Sequence, residues 1–180
     1  MVKLGNKLKF KKIKVGVLGG SFDPAHKGHL AISKEAHKKF NLKLIIWAIT
    51  NQNPFKKKTN KNLKERIMFC KKITQNTKFI KVKYFEDLIN SNKTSDLIDF
   101  LYKTKKYELF FLIGADNLVK FHKWHNSKNI LKKSKLIVFD RHGFKKSSLN
   151  SKTYKNSTNK TVTFVEFNKV NISSSQLRKI

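Results

Sequence analysis

A short apolar segment, Ile13-Lys14-Val15-Gly16-Val17-Leu18, leads directly into the turn Gly19-Gly20-Ser21 near the start of the chain. From Gly28 to Phe40 the apolar residues then recur at helical spacing. A strand, a glycine-rich turn and a helix in this order bring backbone N–H groups to a place where they can surround a phosphate. The turn fits neither G-x-G-x-x-G nor G-x-x-x-x-G-K-[ST], so the standard dinucleotide fingerprint and the Walker loop are both absent from it.

Strand-like and helix-like segments alternate along the rest of the chain. Short apolar runs predict further strands at 44–49, 79–85, 109–113, 136–139 and 161–167. Helical patterns lie around 63–73, 96–102, 117–120 and 130, and a last helix is expected from Ser173 onward. Repeated β-α units of this kind predict an α/β fold with a doubly wound, mostly parallel sheet covered by helices on both faces. In such sheets ligands bind at the carboxyl ends of the strands.

Length and composition suit a single domain, 1–180, in a reducing compartment. Residues 1–12 form a basic N-terminal extension, and 143–160, rich in Lys, Ser, Asn and Thr, is predicted to be a mobile surface loop. Cys70 is the only cysteine and lies in a helical pattern, which favours a small buried core residue. The sequence has no signal-peptide pattern and no apolar run long enough to span a membrane, so we expect a cytoplasmic protein.

The formal net charge of +30 raises the question of a nucleic-acid partner. Only three of the 41 basic residues are arginine, and lysines occur in nearly every segment. Surfaces that read nucleic acid specifically favour arginine and gather their charge on one face. We therefore interpret the charge as a composition bias. It predicts weak, salt-sensitive, non-specific binding to nucleic acid, no specific nucleic-acid partner and no membrane partner.

His26 and His29 stand three residues apart where the first helix begins, so both imidazoles can reach the same anion site and donate hydrogen bonds to phosphate. Two alternatives remain at this stage. Histidines at one-turn spacing are common zinc ligands, but no cysteine is nearby and no third ligand is evident, so we expect no protein metal site. A histidine beside a glycine-rich turn can also simply cap it.

A second helix start lies at Ile172-Ser173-Ser174-Ser175-Gln176-Leu177-Arg178. Ser173 and Gln176 have capping-box spacing, and one interpretation is that the serines only cap a helix. The other is a second anion site, made by open N–H groups, the hydroxyls of Ser174 and Ser175, and Arg178. Two converging anion sites could hold a triphosphate.

These two segments together resemble the H-x-G-H nucleotidyltransferase superfamily, which has a Rossmann-like fold. The resemblance rests on G-S-F-D-P-x-H-x-G-H at 20–29 and on I-S-S-x-x-L-R at 172–178, where Ser175 replaces the usual Thr. Gly114-Ala115-Asp116-Asn117-Leu118, followed by Trp124, is similar to the G-A-D-[NS]-L-x-x-[FL]-x-x-W segment of bacterial nicotinate-nucleotide adenylyltransferases. Two weaker matches depart from that pattern, because Leu97 replaces a Thr and His142 replaces a Pro. The family pattern implies another turn or two of helix after Arg178.

The resemblance implies transfer of an adenylyl group from ATP to nicotinate mononucleotide, giving the deamido dinucleotide and pyrophosphate. The implied catalytic residues are His26, His29 and Arg178. ATP and its phosphates would contact the same three residues together with Gly19, Gly20, Ser21, Phe22, Gly114, Asp116, Arg141, Ser174 and Ser175. The mononucleotide would contact Ser21, Phe22, Lys56, Thr94 and Trp124, with Trp124 stacked on the pyridine ring unless it is only a core aromatic. Mg²⁺ would arrive bound to ATP, because no carboxylate cluster offers a protein site.

Three alternatives stay open. A sister enzyme of the same superfamily would use nicotinamide mononucleotide or phosphopantetheine as its second substrate. A basic nucleic-acid-binding protein would owe its function to the +30 charge. A non-catalytic relative would keep the fold without turnover. The sequence also leaves open the choice between the acid and the amide mononucleotide, and the oligomeric state.

Overall fold

A computed structural model describes residues 11–52, 59–158 and 160–166 of the chain. Its centre is a six-stranded sheet in the order β3-β2-β1-β4-β5-β6, and every neighbouring pair is parallel. The strands are β1 Ile13–Gly20, β2 Leu44–Ile49, β3 Ile80–Tyr84, β4 Tyr107–Gly114, β5 Ser134–Phe139 and β6 Val162–Val165. The predicted doubly wound α/β fold is confirmed, and the sheet is parallel throughout rather than mostly so.

Helices connect the strands and lie on both faces of the sheet. They are α1 Lys27–Phe40, α2 Leu63–Thr74, α3 Glu86–Ile89, α4 Thr94–Lys103, α5 Ala115–Lys120, α6 Ser127–Lys133, α7 Lys145–Leu149 and α8 Lys152–Lys155, with a 3₁₀ turn at Phe121–Lys123. Helices α1 and α2 pack on one face, and α4, α5 and α6 pack on the other. No helix in the described part of the chain is long and apolar enough to cross a membrane.

The four central strands are apolar on both sides because each side is covered by helices. Val17 points into the core on the α4 face, while its neighbour Leu18 belongs to the core on the α1 face. A Cβ on Gly16 would lie 2.9 Å from a methyl group of Leu42, so the packing between β1 and the start of β2 would have to shift to admit a side chain there.

The strand register brings the candidate site residues to one edge. Gly19 and Gly20 at the end of β1 lie beside Ala48 and Ile49 of β2, and Gly114 at the end of β4 lies beside Phe139 of β5. The order in which strands are added reverses between β1 and β4. Doubly wound sheets open a crevice at this point, at the carboxyl ends of their strands.

The loop predicted over 143–160 contains two short helices, α7 and α8. Small hydroxyl side chains make this possible. Ser148 donates to the carbonyl of Lys145, and Ser151 caps α8 by accepting from the N–H of Tyr154, whose ring packs on Phe164. The assignment as a loop is therefore wrong, while the mobility predicted for this segment stays a prediction. Helix α3 is a further addition that the sequence pattern did not indicate.

Some predictions lie outside the described residues. They are the helix from Ser173 onward with Ser174, Ser175 and Arg178, the loop residue Lys56, and all but the last two residues of the N-terminal extension 1–12. The single domain assigned to 1–180 likewise stays a prediction.

Candidate active site

The histidine pair is built into the first turn of α1. His26 is the N-cap residue, and its Nδ1 accepts a 3.1 Å hydrogen bond from the backbone N–H of Gly28. The N–H of His26 in turn donates to Nδ1 of His29, also at 3.1 Å. The two rings lie with their centroids 3.9 Å apart. Because both Nδ1 atoms accept, a neutral ring carries its proton on Nε2, which makes each Nε2 a hydrogen-bond donor.

The structure shows His26 in the capping role, because its Nδ1 accepts from the helix N-terminus. Its Nε2 has the donor character that a phosphate oxygen requires, so the anion-site role stays a prediction that the cap does not oppose.

A core of aromatic rings orients His29. The ring of Phe22 lies 4.8 Å from it and is stacked on Trp47 at 4.9 Å. Trp47 is fully buried and donates through Nε1 to the hydroxyl of Ser33, which donates to the carbonyl of His29. Phe22 itself is only 2% exposed and has a φ of 48°. Its ring thus supports His29 from inside the core, and any ligand contact by Phe22 falls to its backbone.

Asp23 ties the turn to the segment that precedes α2. Its carboxylate is almost fully buried and accepts from the N–H groups of Asn60, at 2.7 Å, and Lys61, at 3.3 Å. Ser21 is buried beside it. The predicted phosphate turn is thus joined through Asp23 to the segment that precedes α2.

Arg66 of α2 is a site residue that the sequence analysis missed. Its side chain is 1% exposed, and it donates to four backbone carbonyls, those of Ser21, Thr50, Asn51 and Lys61. Burial lowers the pKa of the guanidinium, while the nearby Asp23 and Glu86 carboxylates oppose that shift. The rarity of arginine could have pointed to this residue, because a chain that uses lysine almost everywhere has arginine at only three positions.

A cavity of about 400 Å³ opens beside the turn, at the carboxyl ends of β1, β2 and β4. Gly19 and Gly20 form its floor, and the half-buried ring of Trp124 lies on one wall against Phe111 and Phe121. Thr94, the first residue of α4, also lines the cavity. Four of the predicted site residues therefore meet in one cavity of a size that suits a mononucleotide.

The rim of this cavity is held by hydrogen bonds to Asp96. Its carboxylate accepts from the hydroxyls of Ser91, at 2.6 Å, and Ser95, at 3.0 Å. The bond from Ser91 is the main cause that lowers the pKa of Asp96. Lys93, the N-cap residue of α4, makes no side-chain cap, so the first N–H groups of this helix face the rim without one.

A second group of predicted residues lies after β4 and β5. Arg141 donates through Nη1 to Oδ2 of Asp116 at 2.6 Å. Oδ1 of Asp116 is buried and has no hydrogen-bond partner among the residues that the structure describes. A Cβ on Gly114 would lie 2.5 Å from that same oxygen, so a larger residue at position 114 would displace the Asp116 carboxylate. The backbone at Gly114 thus leaves room for the Asp116 carboxylate, and Oδ1 of that carboxylate can still accept a hydrogen bond.

The two groups stand at the carboxyl edge of one sheet, as predicted from their positions after the strands. No group of three His, Cys, Asp or Glu side chains suited to a metal occurs within 11–52, 59–158 and 160–166. A parallel sheet with a histidine-bearing phosphate turn after β1 and a mononucleotide-sized cavity defines a nucleotide-binding enzyme of the nucleotidyltransferase class.

Comparison with known proteins agrees with that class. The family model described as cytidylyltransferase-like matches residues 17–180. A protein of Pelagibacter ubique named "probable nicotinate-nucleotide adenylyltransferase" is 58% identical over 180 residues, the whole of both chains. A protein of Endomicrobium trichonymphae with the same name is 32% identical over 171 residues, covering 93% of this chain and 85% of the relative. The chain belongs to the cytidylyltransferase-like family and, within it, to the nicotinate-nucleotide adenylyltransferases.

Solved structures support the fold. The nicotinic acid mononucleotide adenylyltransferase of Plasmodium falciparum, complexed with APC, superposes with a TM-score of 0.74 at 20% identity and covers 92% of this chain and 82% of its own. The same enzyme complexed with NaAD gives a TM-score of 0.74 at 21% identity, covering 94% of this chain and 83% of its own. The Rossmann-like architecture expected from the sequence resemblance is confirmed.

Proposed function

We propose that this protein transfers the adenylyl group of ATP to nicotinate mononucleotide, forming the deamido dinucleotide of NAD biosynthesis and releasing pyrophosphate. One observation carries the proposal in structural terms, namely that a 400 Å³ cavity with a half-buried tryptophan is lined by Gly19 and Gly20, which lead into the turn that ends in the paired rings of His26 and His29. Membership of the nicotinate-nucleotide adenylyltransferases supports the same substrates.

The reaction requires positioning more than proton transfer. A phosphate oxygen of the mononucleotide attacks the α-phosphorus of ATP, and the bond from that phosphorus to the bridging oxygen of the β-phosphate breaks. The nucleophile is already an anion at neutral pH, so no general base is needed. The side chains then have to align the two phosphates and stabilise the charge that builds up on the oxygens. Nε2–H groups on His26 and His29 are suited to that task.

The cavity is proposed to hold the mononucleotide. Trp124 offers the face of an indole to the pyridine ring, and Thr94 stands at the positive end of α4. A helix N-terminus favours a carboxylate over a neutral carboxamide by about 0.3–1 kcal/mol at an exposed end, and by more where water is excluded. This supports the acid as the substrate. The sequence resemblance adds Lys56, Ser21 and the backbone of Phe22 as mononucleotide contacts.

The opposite side of the histidine pair is proposed to hold ATP. Asp116 would accept a ribose hydroxyl with the carboxylate oxygen that lacks a partner among the described residues, and Arg141 would fix its orientation. The turn Gly19-Gly20-Ser21 would surround the phosphates. Ser174, Ser175 and Arg178 are assigned to the triphosphate on the sequence resemblance alone.

Mg²⁺ is proposed to enter with ATP. The described residues offer no cluster of carboxylates that could cage the ion, which suits a metal held mainly by substrate phosphates and water. When bound, the ion neutralises charge on the leaving pyrophosphate. Because ATP is the proposed substrate, we propose that the protein acts in the cytoplasm.

An assay with three acceptors tests the proposal. The purified full chain is incubated with ATP and Mg²⁺, plus nicotinate mononucleotide, nicotinamide mononucleotide or phosphopantetheine, and pyrophosphate and dinucleotide are measured. We expect pyrophosphate and deamido dinucleotide to form together, with kcat/KM for the acid at least tenfold above that for the amide. Turnover with only one of the other two acceptors would assign the protein to a sister enzyme, and no turnover with any of them would refute the proposal.

A further inference from the structure

Arg66 is a buried cation held entirely by backbone carbonyls. Its Nη1 donates to the carbonyls of Ser21, at 2.6 Å, and Thr50, at 2.8 Å. Its Nη2 donates to Asn51 at 2.8 Å, and its Nε donates to Lys61 at 3.1 Å. No carboxylate of the described residues lies within salt-bridge distance of it. Burying a charge in this way is costly, so a side chain needed only for packing would be apolar.

The four carbonyls belong to three separate parts of the active site. Ser21 lies in the phosphate turn, Thr50 and Asn51 follow β2, and Lys61 precedes α2. One rigid, planar guanidinium therefore fixes the distances between these segments. The phosphate turn is further joined to the end of β2 by a backbone hydrogen bond from Thr50 to the carbonyl of Gly20, at 3.0 Å.

Glu86 holds the same short segment from the other side. Its two carboxylate oxygens accept from the hydroxyl of Thr50 and from the N–H of Asn51. Glu86 also lines the cavity, where it begins α3. Arg66 thus binds the carbonyls of Thr50 and Asn51, while Glu86 binds the hydroxyl of Thr50 and the N–H of Asn51. This arrangement connects the phosphate turn to the rim of the mononucleotide cavity.

We propose that Arg66 and Glu86 are positioning residues that hold the phosphate turn and the mononucleotide cavity in the alignment needed for in-line transfer. Neither residue is required to touch the reacting atoms. A displacement of about 1 Å between the two halves of such a site can lower the rate about 100-fold while each substrate still binds its own half. The inference rests on the proposed function for its kinetic readout, and on hydrogen exchange for a readout that needs no turnover.

The decisive variant is Arg66→Lys, which keeps the charge and removes the fork. A single ammonium on a flexible stem cannot reach the four carbonyls with the same geometry. We expect kcat to fall about 30- to 100-fold, while KM for ATP and for the mononucleotide changes less than threefold. Amide exchange should increase in segments 20–29 and 50–52, because their shared restraint is lost.

Glu86→Gln provides the second arm. It removes one of the two acceptors while keeping the size of the side chain, and we expect a smaller fall in kcat, about three- to tenfold. The double variant should lose little more than Arg66→Lys alone, because both residues restrain the same two-residue segment.

Leu101→Ala is the matched control for stability. Leu101 is buried near the end of α4 and belongs to the core on that face, away from the cavity lining. It should lower Tm as much as Arg66→Lys, while kcat and the exchange of 20–29 stay at the wild-type level.

The outcomes separate the two proposals. If the wild type makes no dinucleotide, the proposed function fails, and the exchange data alone test the role of Arg66. If the wild type is active and Arg66→Lys retains kcat within twofold, or if its exchange in 20–29 and 50–52 equals that of Leu101→Ala, the positioning role is overturned.

Discussion

The Nη1 atom of Arg141 lies 2.6 Å from Oδ2 of Asp116, so a residue that follows β5 fixes the carboxylate that follows β4. The other oxygen of Asp116 is buried and lacks a hydrogen-bond partner among the described residues. A carboxylate that is held in one orientation and has one oxygen without a partner can accept a hydrogen bond from a hydroxyl group. On the proposed function the two residues would have unequal roles: Asp116 would contact the nucleotide, and Arg141 would hold Asp116 in place.

Asp116→Asn is expected to raise KM for ATP about tenfold or more, because a hydrogen bond to a charged acceptor is worth about 1.5–3 kcal/mol. The stability should change by about 1 kcal/mol or less, since both partners of the ion pair are partly exposed. Steady-state kinetics and urea unfolding measure the two effects. Glu108→Gln breaks a comparable ion pair with Lys135 at the amino end of the sheet and should leave KM unaltered. An unchanged KM for ATP in Asp116→Asn would exclude the contact.

His26→Ala is expected to lower kcat about 100- to 1000-fold, the effect of removing one donor aimed at a developing oxyanion. The substitution also removes the N-cap of α1, which costs about 1 kcal/mol of unfolding free energy. His26→Asn separates the two effects. Asparagine restores a capping acceptor without an Nε2 donor, so stability should recover while turnover stays low. Near-normal turnover in the asparagine variant would show that His26 is only a cap.

The strands, the main helices and the edge at which the site lies were predictable from the sequence. Buried parallel strands have continuous apolar runs, and the residues that follow them share one edge. Gly19, Gly20, Thr94 and Trp124 meet in one cavity for that reason. Phe22 was assigned to the ligands; its ring packs in the core on Trp47, so the assignment stays a prediction for its backbone.

The interactions that were not predictable involve contacts distant in the chain. Arg66 reaches the carbonyl of Ser21 across 45 positions, and Glu86 reaches Thr50 across 36. No spacing rule relates residues so far apart, and carbonyl acceptors leave no mark in a side-chain pattern. Helices α7 and α8 were missed for a different reason, because they lie in a stretch whose polar composition is typical of loops, and of the two only α8 has a serine cap.

Trp124→Leu is expected to raise KM for the mononucleotide about tenfold and to leave KM for ATP within twofold. Stacking of a base on an aromatic side chain is worth about 1–3 kcal/mol, and leucine keeps the contacts with Phe111 and Phe121 without offering a flat face. Isothermal titration with the mononucleotide measures the change directly. Phe79→Leu removes an aromatic stack with His37 before β3 and should not alter binding. Equal effects of the two variants would assign Trp124 to the core alone.

Because of Cys70, the free energy of unfolding is expected to fall at alkaline pH. Burial raises the pKa of this thiol from 9.0 to about 12, with a smaller opposing effect from Arg66. Above pH 9 the unfolded chain loses the proton that the folded chain keeps, so the free energy of unfolding falls as pH rises. The fall from this residue should reach about 2 kcal/mol between pH 8 and 10.5. Urea unfolding of the wild type and of Cys70→Ala is measured at both pH values. The lysines are the same in both chains, so the difference between the two pH dependences is the contribution of the Cys70 thiol. The wild type should lose about 2 kcal/mol more than the variant, and parallel losses would mean that the thiol titrates normally.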